Sequence, residues 1–74
     1  MKCTANTPYY AYLCQIDGDV EIEIGNYSKL SAALVNVRCA CREKGRSAWD
    51  WVVDKRAADG TLINRRSSIA GLEK

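Results

Sequence analysis

Residues 26–45, NYSKLSAALVNVRCACREKG, carry the clearest helical period in the chain. Leu30, Ala33, Leu34, Val37 and Cys41 recur at the i, i+3, i+4, i+7, i+11 spacing that lines one face of a helix. Asn26 and Ser28 offer side-chain oxygens for an N-cap, and Gly45 can close the segment with positive φ. Arg38, Arg42 and Lys44 crowd the last turns, where the helix dipole favours cations. Everything else reads as short strands that need this helix as a lid.

Before it, residues 9–16, YYAYLCQI, are rich in aromatic and apolar side chains and read as a strand. Asp17-Gly18 is a strong hairpin signal, because both turn positions tolerate positive φ. Val20, Ile22 and Ile24 then alternate with Glu21 and Glu23, the pattern of a half-buried strand with one wet face. A two-residue loop sets Leu13 across from Ile22 and Ala11 across from Ile24. Tyr9, Ala11 and Leu13 would then face the core, with Tyr10, Tyr12 and Cys14 on the opposite face. A three-residue loop reverses the assignment. In either register the first strand is apolar on both faces.

After Gly45, Trp49, Trp51 and Val53 alternate with Asp50 and Asp54, which favours a third strand. Ser47 and Asp50 also resemble a capping box, which would make residues 48–58 a second helix. The strand is the expectation. Residues 55–60 read as a loop ending in Asp59-Gly60, and residues 61–66, TLINRR, as a fourth strand. Residues 1–8 are read as a loose lead-in and 67–74 as a polar tail with Ile69 as its one apolar anchor. The order is β-β-α-β-β. The expected fold class is α+β, a four-stranded antiparallel sheet with one helix packed on one face.

Seventy-four residues suit one domain with a modest core. The start of the chain shows no signal-peptide pattern and no apolar run approaches a membrane span, so the expectation is a cytoplasmic protein that does not engage a membrane. Cys3, Cys14, Cys39 and Cys41 are then free thiols by default. The net charge of +2 is small, but residues 1–36 carry −2 and residues 37–74 carry +4. An acidic hairpin and a basic remainder follow.

The inventory argues against chemistry. The chain has no histidine, so it has no Cys-His or Ser-His pair, and no P-loop or glycine-rich dinucleotide motif occurs. The carboxylates Asp17, Asp19, Glu21 and Glu23 fall on an exposed turn and strand face. Cys39 and Cys41 look like metal ligands, but positions i and i+2 of a helix point about 200° apart. A zinc-stabilised domain would need all four cysteines to converge from distant elements. The expectation is no enzyme, no cofactor and no metal. Two binding roles remain. A sheet covered on one face leaves the other open, with Tyr10, Tyr12 and a tryptophan such as Trp49 as interface anchors, for a protein partner or a second copy. Alternatively Arg42, Lys44, Arg46, Arg65 and Arg66 form a nucleic-acid surface.

The Asp17-Gly18 hairpin, the helix KLSAALVNVRCACREKG and the second hairpin WVVD…DGTLI together resemble small proteins of phages and mobile elements, anti-CRISPR inhibitors among them. The resemblance is one of architecture and spans residues 9–66. It implies a stoichiometric inhibitor that occludes a site on a host defence complex. Many such inhibitors are strongly acidic mimics of nucleic acid; the mild basicity of this chain points instead to an ordinary interface.

Overall fold

The structure, a computed structural model, describes residues 6–68. The chain forms strands β1 (Tyr9–Gln15) and β2 (Glu21–Tyr27), helix α1 (Leu30–Lys44), and strands β3 (Trp49–Arg56) and β4 (Leu62–Ser67). All neighbouring strands pair antiparallel, in the spatial order β2-β1-β3-β4. The fold class read from the sequence is the one observed. β1 lies between β2 and β3, so β2 and β3 run parallel to one another and α1 is the crossover that links them.

The helix sits on one face of β1, β2 and β3. It buries Ala33, Val37 and Cys41, one residue per turn, against Ala11, Leu13, Trp51 and Val53. Leu30 and Leu34 complete the seam from its edge. The 3.6-residue period therefore located the buried face correctly. Its start is different. β2 continues past Ile24 by pairing Asn26 with Tyr10 and Tyr27 with Tyr9, so neither Asn26 nor Ser28 caps the helix. Lys29 takes the N-cap position in extended conformation, without a side-chain hydrogen bond. The strand keeps those residues because each added pair satisfies two backbone groups in the sheet. At the other end Gly45 closes the helix at φ 108°, and its N–H donates to the Cys41 carbonyl at 2.9 Å.

Leu13 pairs with Ile22, as the shorter loop requires, but a bulge at Ile24 then sets Ala11 opposite Gly25. The hairpin forms without the dihedrals expected of it: neither Asp17 nor Gly18 has positive φ, and the loop is closed by Gln15 N–H donating to Val20 O at 2.9 Å. The second Asp-Gly pair behaves as such a pair should. Gly60 sits at φ 93°, and Asp59 Oδ1 accepts the Thr61 N–H at 2.9 Å. Residues 49–56 are strand, and the helical alternative for this segment is excluded by their pairing with both β1 and β4.

The face away from the helix is not the open surface expected. Tyr10 and Tyr12 are only 8% and 7% exposed. Their rings stack with centroids 5.1 Å apart, and they pack with Val52 and the partly buried Cys14. Beside them lies Asp54, wholly buried. Arg65 grips it with a fork, Nε to Oδ1 at 2.6 Å and Nη2 to Oδ2 at 3.1 Å. Arg56 Nη2 donates to Oδ2 at 3.2 Å, and the Tyr12 hydroxyl donates to the same oxygen at 3.4 Å. Large rings and long cationic side chains thus close the centre of this face with little additional chain.

β4 is the exposed member of the sheet. It packs on β3 and makes no contact with the helix, and only Ser67 at its end is buried. Ser67 and Ser68 therefore belong to the fold and not to a tail, while the expected anchor Ile69 and residues 1–5 of the lead-in lie outside the described residues. Pro8, also placed in the lead-in, is tied to the sheet by the Arg56 N–H at 2.9 Å.

Candidate functional site

Where α1 ends and β3 begins, the chain turns tightly. The Gly45 carbonyl accepts from both Ala48 N–H at 3.1 Å and Trp49 N–H at 3.2 Å. This shared acceptor fixes the 45–49 turn and leaves Arg46 exposed at its tip. Between that turn, the last turns of the helix and the first residues of β3 lies a cleft of about 410 Å³. Arg38 and Cys41 come from α1, Arg46 from the turn, Trp49, Asp50 and Trp51 from β3. Ser68 completes the wall.

Most of the lining groups are held by definite contacts. The Arg38 guanidinium lies over the Trp51 ring, 5.2 Å from its centroid. The Trp51 N–H donates to Ser68 Oγ at 3.0 Å, and that hydroxyl donates to Asp50 Oδ1 at 3.1 Å. The Cys41 thiol donates to the Trp49 carbonyl at 3.2 Å. Burial pushes the Cys41 thiol above its ordinary pKa; the nearby Asp50 carboxylate adds to this and Arg46 opposes it. The thiol is therefore protonated at neutral pH and suited to packing rather than to nucleophilic attack. Burial raises Cys14 as well, aided by Glu21 and Asp50.

The cysteines occupy separate places. Cys14 is on the tyrosine side of the sheet, Cys41 is under the helix and Cys39 is exposed beside Arg42, whose Nη2 lies 3.6 Å from its sulfur. Among the described residues no three groups of the kind that ligate metals come together.

The residues singled out from sequence do not form one site. Trp49 and Arg46 line the cleft. Arg42 and Lys44 stand exposed on the same helix end. Arg66, opposite Val53, shares the helix side of the sheet but on the uncovered strand β4. Arg65 is on the other face, in the fork with Asp54, so it does not join the nucleic-acid set proposed for it. Tyr10 and Tyr12 are buried beside it. Among the described residues Arg38, Arg42, Lys44, Arg46 and Arg66 make no ion pair, whereas Arg56 and Arg65 both engage Asp54.

Sequence reading missed Arg38, Asp50, Trp51 and Ser68 as members of a site. A usable signal was present. Arg38 precedes Cys41 by three residues on the buried stripe, so it flanks that stripe on the helix surface. It was read as a complement to the helix dipole because the crossover that brings it over Trp51 is not written in local pattern.

No helix among the described residues is long and apolar enough to cross a membrane. Comparison with protein-family models, with curated proteins and with solved structures returns no match for this chain.

Proposed function

We propose that this is a non-enzymatic protein-binding module of the cytoplasm, acting as a small stoichiometric inhibitor of the anti-CRISPR kind that occludes a site on a host defence complex. The observation that carries the binding role is the convergence of both tryptophans of the chain with Arg38 and Arg46 on one cleft. Tryptophan and arginine are the side chains most enriched among residues that dominate interface energies. The contact surface is thus moved from the tyrosine face, which the structure closes, to the end of the helix. The protonated thiols and the lack of histidine favour occupancy over turnover as the mode of action.

The test has two parts. Purified protein is mixed with CRISPR effector complexes and followed by size-exclusion chromatography with light scattering, which also reports whether the free protein dimerises. Phage plaquing is then measured on cells with active CRISPR immunity that express the protein or its Trp49→Ala/Arg46→Ala variant. A complex and restored plaquing, both lost in the variant, support the reading. Neither complex nor restored plaquing with the native sequence overturns the inhibitor reading.

Nucleic-acid binding is the second reading. It is favoured by Arg42, Lys44, Arg46 and Arg66, which make no ion pair among the described residues. Affinity for DNA or RNA that falls steeply with salt would support it.

A further inference from the structure

We infer that the cleft between the end of α1 and the start of β3 receives an acidic peptide segment of the protein partner, an inference that rests on the protein-binding reading. Three features of the cleft point to this chemistry. First, its two arginines have no carboxylate partner within the described residues, and Arg42 and Lys44 add unpaired positive charge at the same helix end. Second, the Arg38 guanidinium carbon lies 5.2 Å from the ring centroid of Trp51, which is 8% exposed. A ring so little exposed offers a nucleobase almost no face to stack on. The guanidinium of Arg38 is a fork of N–H donors, the group that pairs with a carboxylate. Third, the wall is not uniformly basic. Asp50 lines it, with one oxygen accepting from Ser68 and the other bearing no hydrogen bond among the described residues. A phosphodiester backbone has no donor to offer that oxygen and is repelled by it. A peptide brings backbone N–H groups along with its acidic side chains, and so satisfies the arginines and the aspartate together. A volume of about 410 Å³ lies within the range of roughly 300–1,000 Å³ usual for ligand clefts. Recognition of acidic motifs by arginine clusters is an established binding mode.

The cleft carries its own reporter, because the only two tryptophans of the chain line it. Intrinsic fluorescence of the full chain is titrated at fixed ionic strength with a Glu-rich peptide, with a Gly-Ser peptide of the same length and with oligo-deoxythymidine. Three proteins are compared: the native sequence, Arg38→Gln/Arg46→Gln, and a charge-matched control, Lys29→Gln/Lys55→Gln, whose sites lie outside the cleft. Thermal unfolding of each confirms that the variants are folded; if the double glutamine variant is not, Arg46→Gln alone takes its place. The expected result is a saturable change with the Glu-rich peptide only, weakened at least tenfold in Arg38→Gln/Arg46→Gln and less than threefold in the control. A response to oligo-deoxythymidine that exceeds the peptide response overturns the peptide and favours nucleic acid. No response to the peptide up to millimolar concentration also overturns it. Equal weakening in the cleft and control variants overturns the site, since only net charge would then matter. The protein-binding reading is judged separately by complex formation and plaquing: if these persist in the native protein while the peptide fails, the acidic-segment inference falls and the binding module stands.

Discussion

Asp54 has no exposed surface, yet it accepts hydrogen bonds from Arg65, Arg56 and the Tyr12 hydroxyl. Removing a partner from a buried carboxylate costs more than the bond itself, because the charge stays buried with poorer compensation. Arg65→Leu should therefore destabilise the fold by about 3 kcal/mol, whereas Asp54→Leu/Arg65→Leu should recover most of that loss; denaturant midpoints of the two variants decide the point. Tyr12 reports the same cluster from the alkaline side. Burial, then the Asp54 carboxylate, raise its pKa from 10.0 to about 12, with Arg65 opposing. A group whose folded pKa is raised stabilises fully below its unfolded value and loses that contribution as pH climbs. Stability should fall between pH 10 and about 12. In Tyr12→Phe the tyrosinate absorbance step near pH 12 should lose one residue and the alkaline slope of stability should flatten. At this scale the sequence was partly legible. The two-residue register sets Tyr10 and Tyr12 on the face away from the helix, but alternation alone left the reverse register open and could not show that Arg56 and Arg65, forty or more residues away, would reach across to Asp54 and close it.

Two Asp-Gly pairs connect two hairpins, and they show how far local pattern reaches at the scale of elements. Only Gly60 uses the freedom that glycine offers, at φ 93°; Gly18 does not have positive φ. A Cβ at Gly60 would meet nothing within 4 Å, so the cost of Gly60→Ala is purely one of backbone conformation, about 1 kcal/mol. For a domain this small that corresponds to roughly 4–8 °C in Tm. Gly18→Ala would press only on the end of the flexible Gln15 side chain and should leave Tm nearly unchanged. Calorimetry of the two variants side by side tests the contrast. The same dipeptide thus predicted both hairpins, while the dihedrals depended on loop length and on how the strands met it. The helix face was legible because its period repeats over four turns. Its start was not, since Asn26 suits a cap as well as a strand; the sheet takes Asn26 and Tyr27, and Lys29 stands at the N-cap.

At the scale of the molecule the order of elements was readable and their arrangement in space was not. The candidate cleft depends on that arrangement. Arg38 and Trp51 are thirteen positions apart, and no local rule says that a crossover helix will lay one over the other. Trp49, expected with the tyrosines on the uncovered face, packs instead on the helix side and lines the cleft. The placement of β1 has a further consequence for biosynthesis. This strand is translated before the other three strands of the sheet and ends in its middle, with residues 10–13 buried on both sides. Its partner β3 is translated some forty residues later. Until then the stretch YYAYLC has one flank unpaired. A nascent chain that still lacks β3 holds a sticky, half-finished hairpin, so productive folding here is a race between elongation and self-association.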